Sequence, residues 1–291
     1  MTRARRGEGA EKSSYGRSLR EYARGLVGGL LVSLPLLYTM EVWWAGFVAH
    51  PSHLLLYLTS GFILLFGYNR YAGLHEDASW LEVAFEAVEE MGIGLFVAAG
   101  ILWLLGQIDG TMTLNEIVGK VVVEAVTVAI GVSVGAAQLG GQGGKDQGMH
   151  GDREERPLSV AGQIVLAGCG AVLFASNVAP TEEIVLIAIE STRWKIVGLA
   201  VLSFVLAGTV LFYSDFKGTG GAHGTRAPQD GPGTMVMRTA LHYAVALALS
   251  AYILWFFGRF DGASSGAALA QVVALGVAAS LGAATGRVLL R

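Results

Sequence analysis

The sequence predicts an all-α fold, a polytopic bundle of about eight transmembrane helices. Of the 291 residues, 53% are hydrophobic and only 15% are charged, whereas a soluble domain carries about a quarter charged residues. Apolar runs of about 20 residues, the length that spans a hydrocarbon core, recur along nearly the whole chain. The 41 glycines fall heavily inside those runs, where small residues let helix backbones approach closely in lipid.

Residues 1–24 are a basic tail containing Arg3, Arg5, Arg6, Lys12, Arg17, Arg20 and Arg24. No apolar segment precedes Leu26, so the first membrane helix is expected to act as its own insertion signal. The runs then read as spans over Gly25–Ala49, His53–Tyr71, Leu81–Gln107 and Leu114–Leu139, which make a first unit over 25–139. A Gly-rich, charged linker over 140–157 leads to a second unit over 158–291. Its spans are Leu158–Ile189, Trp194–Tyr213, Thr239–Phe257 and Ala267–Leu290, with a loop at 215–237. Lys and Arg are retained on the cytoplasmic side. The tail, Lys145, Arg153, Arg156, Lys217, Arg226, Arg238 and Arg287 share one side of an eight-span topology, against Arg193, Lys195 and Arg259 on the other. Both termini are therefore expected in the cytoplasm.

The two units echo each other. Ile101-Leu-Trp-Leu-Leu-Gly-Gln-Ile-Asp-Gly110 returns as Ile253-Leu-Trp-Phe-Phe-Gly-Arg-Phe-Asp-Gly262, and Thr39-Met-Glu-Val42 lines up with Thr181-Glu-Glu-Ile184. Four spans per unit is an even number, so both units enter from the same side. A parallel repeat about an axis along the membrane normal is expected.

An ionisable side chain inside a span costs roughly 2.5–3.5 kcal/mol on insertion scales and asks for a reason. Glu41 and Glu183 occupy matching positions, each two residues after a threonine, Thr39 or Thr181, and downstream of Pro35 or Pro180. A proline frees a carbonyl one turn back, so the two carboxylates, the threonines, Asn177 and Glu182 form a candidate site for a small cation or a proton. In the other reading, Glu41 and Glu183 are glue between helices or reach interfacial water. Lys120 and Glu124, four residues apart in the fourth span, are expected to pair within the helix. Glu82, Glu86, Glu89 and Glu90 open the third span as an acidic vestibule or as a solvated first turn; Arg238 and His242 stand at the matching places of Glu86 and Glu90.

Other chemistry is poorly represented. The net charge of −3 implies no nucleic-acid partner. Cys169 is the one cysteine and reads as a small buried hydrophobe. His50 and His53 make a weak metal signal, and no metal follows from the sequence. Gly144-Lys145-Asp146 lacks the Ser or Thr and the preceding strand of a phosphate loop. With no recognisable nucleophile set, neither an enzyme nor a cofactor is expected. The lipid bilayer is the one partner that composition demands; the oligomeric state stays open.

Leu34-Pro-Leu-Leu-Tyr-Thr-Met-Glu-Val-Trp-Trp-Ala-Gly46, Asn177-Val-Ala-Pro-Thr-Glu-Glu-Ile184 and Asn115-Glu-Ile-Val-Gly-Lys120 resemble the signature segments of a family of bacterial integral membrane proteins of unknown function. The likeness runs from about Arg20 to the C-terminus. It implies a bacterial inner-membrane protein with both units intact and brings no activity or ligand. Two functional readings remain: a cation or proton transporter or channel built on Glu41 and Glu183, or a membrane scaffold or sensor whose polar residues are structural.

Overall fold

Caps and prolines decide where the helices begin and end. The computed structural model describes residues 23, 25–72, 79–140, 159–218 and 231–289, and the regular structure among them is helical. The order is α1 (Gly25–Leu37), α2 (Met40–Val48), α3 (Pro51–Ala72), α4 (Trp80–Leu104) and α5 (Leu114–Gly140), then α6 (Val160–Ala175), α7 (Glu182–Glu190), α8 (Arg193–Gly218), α9 (Pro232–Phe256) and α10 (Ser265–Leu289). The tail apart from Ala23, Gly144-Lys145-Asp146 and most of the 140–157 linker lie outside the described residues. The expected loop over 215–237 is shorter than its composition suggests. Helix α8 runs on to Gly218, and α9 starts at Pro232, whose missing N–H costs nothing in a first turn.

Six helices, α3, α4, α5, α8, α9 and α10, are long and apolar enough to cross a membrane, and α1 with α2 would make a seventh crossing. The expected first and fifth spans are not single helices. Helices α1 and α2 meet at 84°, and α6 and α7 are separated by a turn through Ser176–Pro180. Proline is the physical reason in both. Pro35 has no N–H for the helix ladder and clashes with the preceding turn; just beyond it, Thr39 leaves the helical region at φ −97°, ψ 113°. Pro180 disfavours helical geometry at Ala179, so α6 stops and α7 restarts after Thr181.

Several features follow the same order in both halves of the chain. Helices α2 and α7 are nine residues long, and α4 and α9 are 25 residues long. The matched ten-residue segments close α4 and α9 with the same cap. Gly106 (φ +68°) donates to the Trp103 carbonyl and Gln107 to that of Leu102; Gly258 (φ +67°) donates to Trp255 and Arg259 to Leu254. This is a Schellman turn, in which glycine takes the left-handed conformation without a Cβ penalty. At the other end of α4, Ser79 and Glu82 bond each other's backbone N–H in a capping box.

Helix α5 packs against α2, α3 and α4, and α10 packs against α6, α7, α8 and α9; α6 bridges to α3. Every residue from Val121 to Ser133 of α5 is buried. Close backbone approach needs glycine at these crossings: a Cβ on Gly170 of α6 would meet the Gly282 carbonyl of α10. The outer surface is apolar, with Phe96 82% and Trp194 85% exposed, which suits a hydrocarbon solvent and not water.

Candidate functional site

The proline breaks position the residues the sequence singled out. Thr39 and Thr181 precede the first turns of α2 and α7, and each hydroxyl donates to a local carbonyl, that of Pro35 or of Val178. The Thr39 hydroxyl is thus turned into the backbone, while that of Thr181 is also within reach of the Glu183 carboxylate. Glu41 is half-buried in the first turn of α2, and Glu183 is exposed in the first turn of α7. Both lie where the positive end of a helix dipole favours a carboxylate. Among the described residues no hydrogen bond or ion pair joins Glu41 to Glu183. Glu182 instead pairs with Arg259 at 2.8 Å, tying α7 to the turn after α9. Asn177 sits in the α6–α7 break, where its Nδ2 donates to Leu173 at 2.6 Å and to Val32 of α1 at 3.4 Å. Its Oδ1 is buried with no hydrogen-bond partner among the described residues.

The expected Lys120–Glu124 pair does not form. Lys120 Nζ donates to the Gln107 carbonyl at 2.8 Å and reaches Met112 Sδ at 3.7 Å. Helical side chains lean toward the N-terminus, so Lys120 extends away from Glu124, and lysine ahead of glutamate is the weaker order for such a pair. Glu124 is left 0% exposed, and neither carboxylate oxygen meets a donor among the described residues. The Tyr57 hydroxyl of α3 lies near Glu124 and near the hydroxyls of Thr127 on α5 and Ser176, which caps the end of α6. All three hydroxyls are buried, and none has a partner within 3.5 Å among the described residues. Three hydroxyls thus gather within electrostatic reach of Glu124, at a seam where α3 and α5 meet α6. Beside them opens a cleft of about 270 Å³ between α3, α5, α6 and α9. Its lining includes Tyr57, Ser60, Val126 and Tyr252, and Ser60 and Tyr252 share a hydrogen bond at 2.9 Å.

A second polar group lies further along α3 and α5. Asn69 Nδ2 donates to Glu90 Oε2 at 2.7 Å, and Ser133 donates to Asn69 Oδ1 at 2.9 Å. The expected acidic opening of α4 thus divides: Glu82 closes the capping box, while Glu90 turns inward to Asn69.

Glu90 has a polar counterpart, the buried His242, but Tyr57, Asn69, Glu124, Thr127 and Ser133 stand at positions that are apolar in the other half. Counted from the first residue of each helix, Leu275 of α10 stands where Glu124 stands in α5, Ala278 where Thr127 stands, and Leu199 of α8 where Tyr57 stands in α3. In the same way Leu211 answers Asn69 and Ala284 answers Ser133, and these two pack in one buried cluster. A helix bundle of this shape therefore forms with hydrocarbon at those places. Sequence reasoning missed Tyr57, Asn69, Ser133 and Ser176 because hydroxyls and amides are common in apolar spans; comparing helix registers between the halves is the signal that finds them.

The remaining candidates make local contacts. His50 Nδ1 shares a hydrogen bond with Ser52 at 2.8 Å, and the His53 ring lies 4.7 Å from that of Trp255. Cys169 is fully buried. No group of three or more His, Cys, Asp or Glu among the described residues is arranged to hold a metal ion. The sequence model of the family described as "Putative integral membrane protein (DUF2391)" matches residues 21–290. No curated protein and no solved structure matches the chain.

Proposed function

The chain belongs to the DUF2391 family of integral membrane proteins, and from that premise we propose that it moves a small cation or a proton across the bilayer. The observation that carries this is Glu124, enclosed and without a hydrogen-bond donor among the described residues, where the corresponding residue of α10 is Leu275. A buried carboxylate is tolerated when a proton or a cation satisfies it. Hydroxyls of Tyr57, Thr127 and Ser176 supply further oxygens, and the α6 break brings one of them. Interrupted helices at corresponding places in two halves are the arrangement in which transporters hold ions.

In this reading the bundle crosses a bacterial inner membrane eight times as two parallel repeats, with both termini in the cytoplasm. The equal lengths of α2 and α7 and the shared caps of α4 and α9 support the repeat. The excess of Lys and Arg in the tail and the two long loops supports the orientation. Reporter fusions at Gly148 and Gly224 should both read as cytoplasmic. Glu41 and Glu183 are accessory carboxylates at the first turns of α2 and α7. The chain acts as a transporter or channel and not as an enzyme.

The test is ion flux into liposomes holding the purified protein, screened over protons, alkali metals and divalents. Glu124→Gln should abolish flux with folding intact, since glutamine keeps the shape. Loss of flux in Glu41→Gln and Glu183→Gln, with Glu124→Gln unaffected, would move the site to the paired carboxylates. Unchanged flux in all three, or none in the parent, would leave the scaffold reading.

A further inference from the structure

The α3–α5 seam carries two polar layers, not one. Tyr57 and Tyr68 lie eleven residues apart on α3, about 16 Å at 1.5 Å per residue. Both are buried on one face, and both hydroxyls lack a hydrogen-bond partner among the described residues. Tyr57 belongs with Glu124; Tyr68 lies within electrostatic reach of Glu90 and Cys169. Between the layers sit Leu65, Val126, Ile130 and Leu166, none more than 2% exposed. The packing there is tight, since a Cβ on Gly61 would stand 2.7 Å from Val126 Cγ1.

We propose that the transported species is the proton and that Glu90, oriented by Asn69 and Ser133, is a second protonation station on the same route as Glu124. This rests on the transport reading above. The donor arrangement selects the ligand. Ser133 donates to Asn69 Oδ1, which fixes the amide so that its N–H, and not its oxygen, faces Glu90. A metal cation is coordinated by oxygen lone pairs, and an N–H aimed at the carboxylate competes with it. A carboxyl group that gains and loses one proton keeps that donor throughout. The groups within electrostatic or hydrogen-bonding reach of Glu90 are Glu86 and Glu89 on its own helix, Tyr68 on α3, the Cys169 thiol on α6 and the non-titrating Ser133 on α5. Around Glu124 they are Tyr57 on α3 and, through it, Tyr252 on α9. Each station takes one proton from water, turning carboxylate into carboxyl, and gives it back to water with no other bond changed. The layer of Leu65, Val126 and Ile130 keeps the two steps apart until it opens or hydrates.

The Asn69–Ser133 contact has a built-in control, because Leu211 and Ala284 fill the corresponding places and pack together. The experiment uses full-length protein in liposomes with an internal pH dye, beside parallel K⁺, Na⁺ and Mg²⁺ flux. A pH gradient should drive a dye response that Glu90→Gln lowers at least about tenfold, with thermal stability unchanged. The double variant Asn69→Leu with Ser133→Ala should keep its stability and displace the midpoint of the flux–pH profile. Parent-like proton flux in Glu90→Gln, or an unmoved profile in the double variant, would overturn the second station. Metal-ion flux without proton movement would overturn the proton assignment and leave transport standing. No flux of any kind would remove both.

Discussion

Replacing Glu124 by leucine, the residue that α10 carries at Leu275, should stabilise the protein while ending its transport. Glu124 is fully buried, both oxygens lacking a donor among the described residues, and a carboxylate at that depth costs roughly 2.5–3.5 kcal/mol on insertion scales. Leucine at a helix centre is favourable by about 0.3–0.6 kcal/mol. The change of shape at a packed site returns up to about 1.5 kcal/mol. Tyr57, Thr127 and Ser176 already lack direct bonds to Glu124, so their hydroxyls lose little. The net gain is about 1.3–4 kcal/mol, which at about 2–4 °C per kcal/mol is a rise of roughly 3–16 °C in Tm. Thermal unfolding of purified Glu124→Leu beside the parent reads it directly, with liposome flux on the same samples. The sign is decisive. If Glu124 were held by Lys120, the substitution would strand a lysine in the membrane and lower stability by about 3–5 kcal/mol. A fall in Tm of that size would refute the unpartnered carboxylate and the functional reading with it.

Gly170→Val should weaken the α6–α10 crossing by about 1–3 kcal/mol through overpacking against the Gly282 backbone, seen as a lower Tm; the same change at Gly198, where a Cβ meets nothing, is the control. Ser79→Ala should lose the capping box and about 1 kcal/mol, read as faster amide exchange in the first turn of α4. Gly258→Ala should cost about 1–2 kcal/mol because its φ of +67° is left-handed, again as a Tm shift. In the loop after α4, the Thr111 hydroxyl and N–H hold the Asp109 carboxyl below its ordinary range. A folded value below the unfolded one means this turn is at full strength above the ordinary carboxylate range and is lost only as pH falls through the lowered value. Amide exchange at Thr111 should follow that course, and Asp109→Asn should remove it.

Solvent class, helix content and most helix positions were set by the sequence, because hydrocarbon admits only chains that satisfy their own backbone and face it with apolar side chains. Six of the expected spans coincide with α3, α4, α5, α8, α9 and α10, and the matched ten-residue segments marked the turns after α4 and α9. Hydropathy averages over a window, however, so it ran through the breaks at Pro35 and Pro180 as though α1 and α2, or α6 and α7, were single spans. Partnership was likewise beyond one-dimensional spacing. Lys120 and Glu124 share a helix face, yet Lys120 finds the Gln107 carbonyl and Glu124 is enclosed where α3, α5 and α6 meet. Only the tertiary structure decided which carboxylates are buried, because burial and hydrogen bonding depend on helices that are distant in sequence. Glu41 and Glu183, expected inside their spans or at interfacial water, stand half-buried and exposed at the first turns of short helices; Glu90, expected in an acidic vestibule or a solvated first turn, is bonded to Asn69.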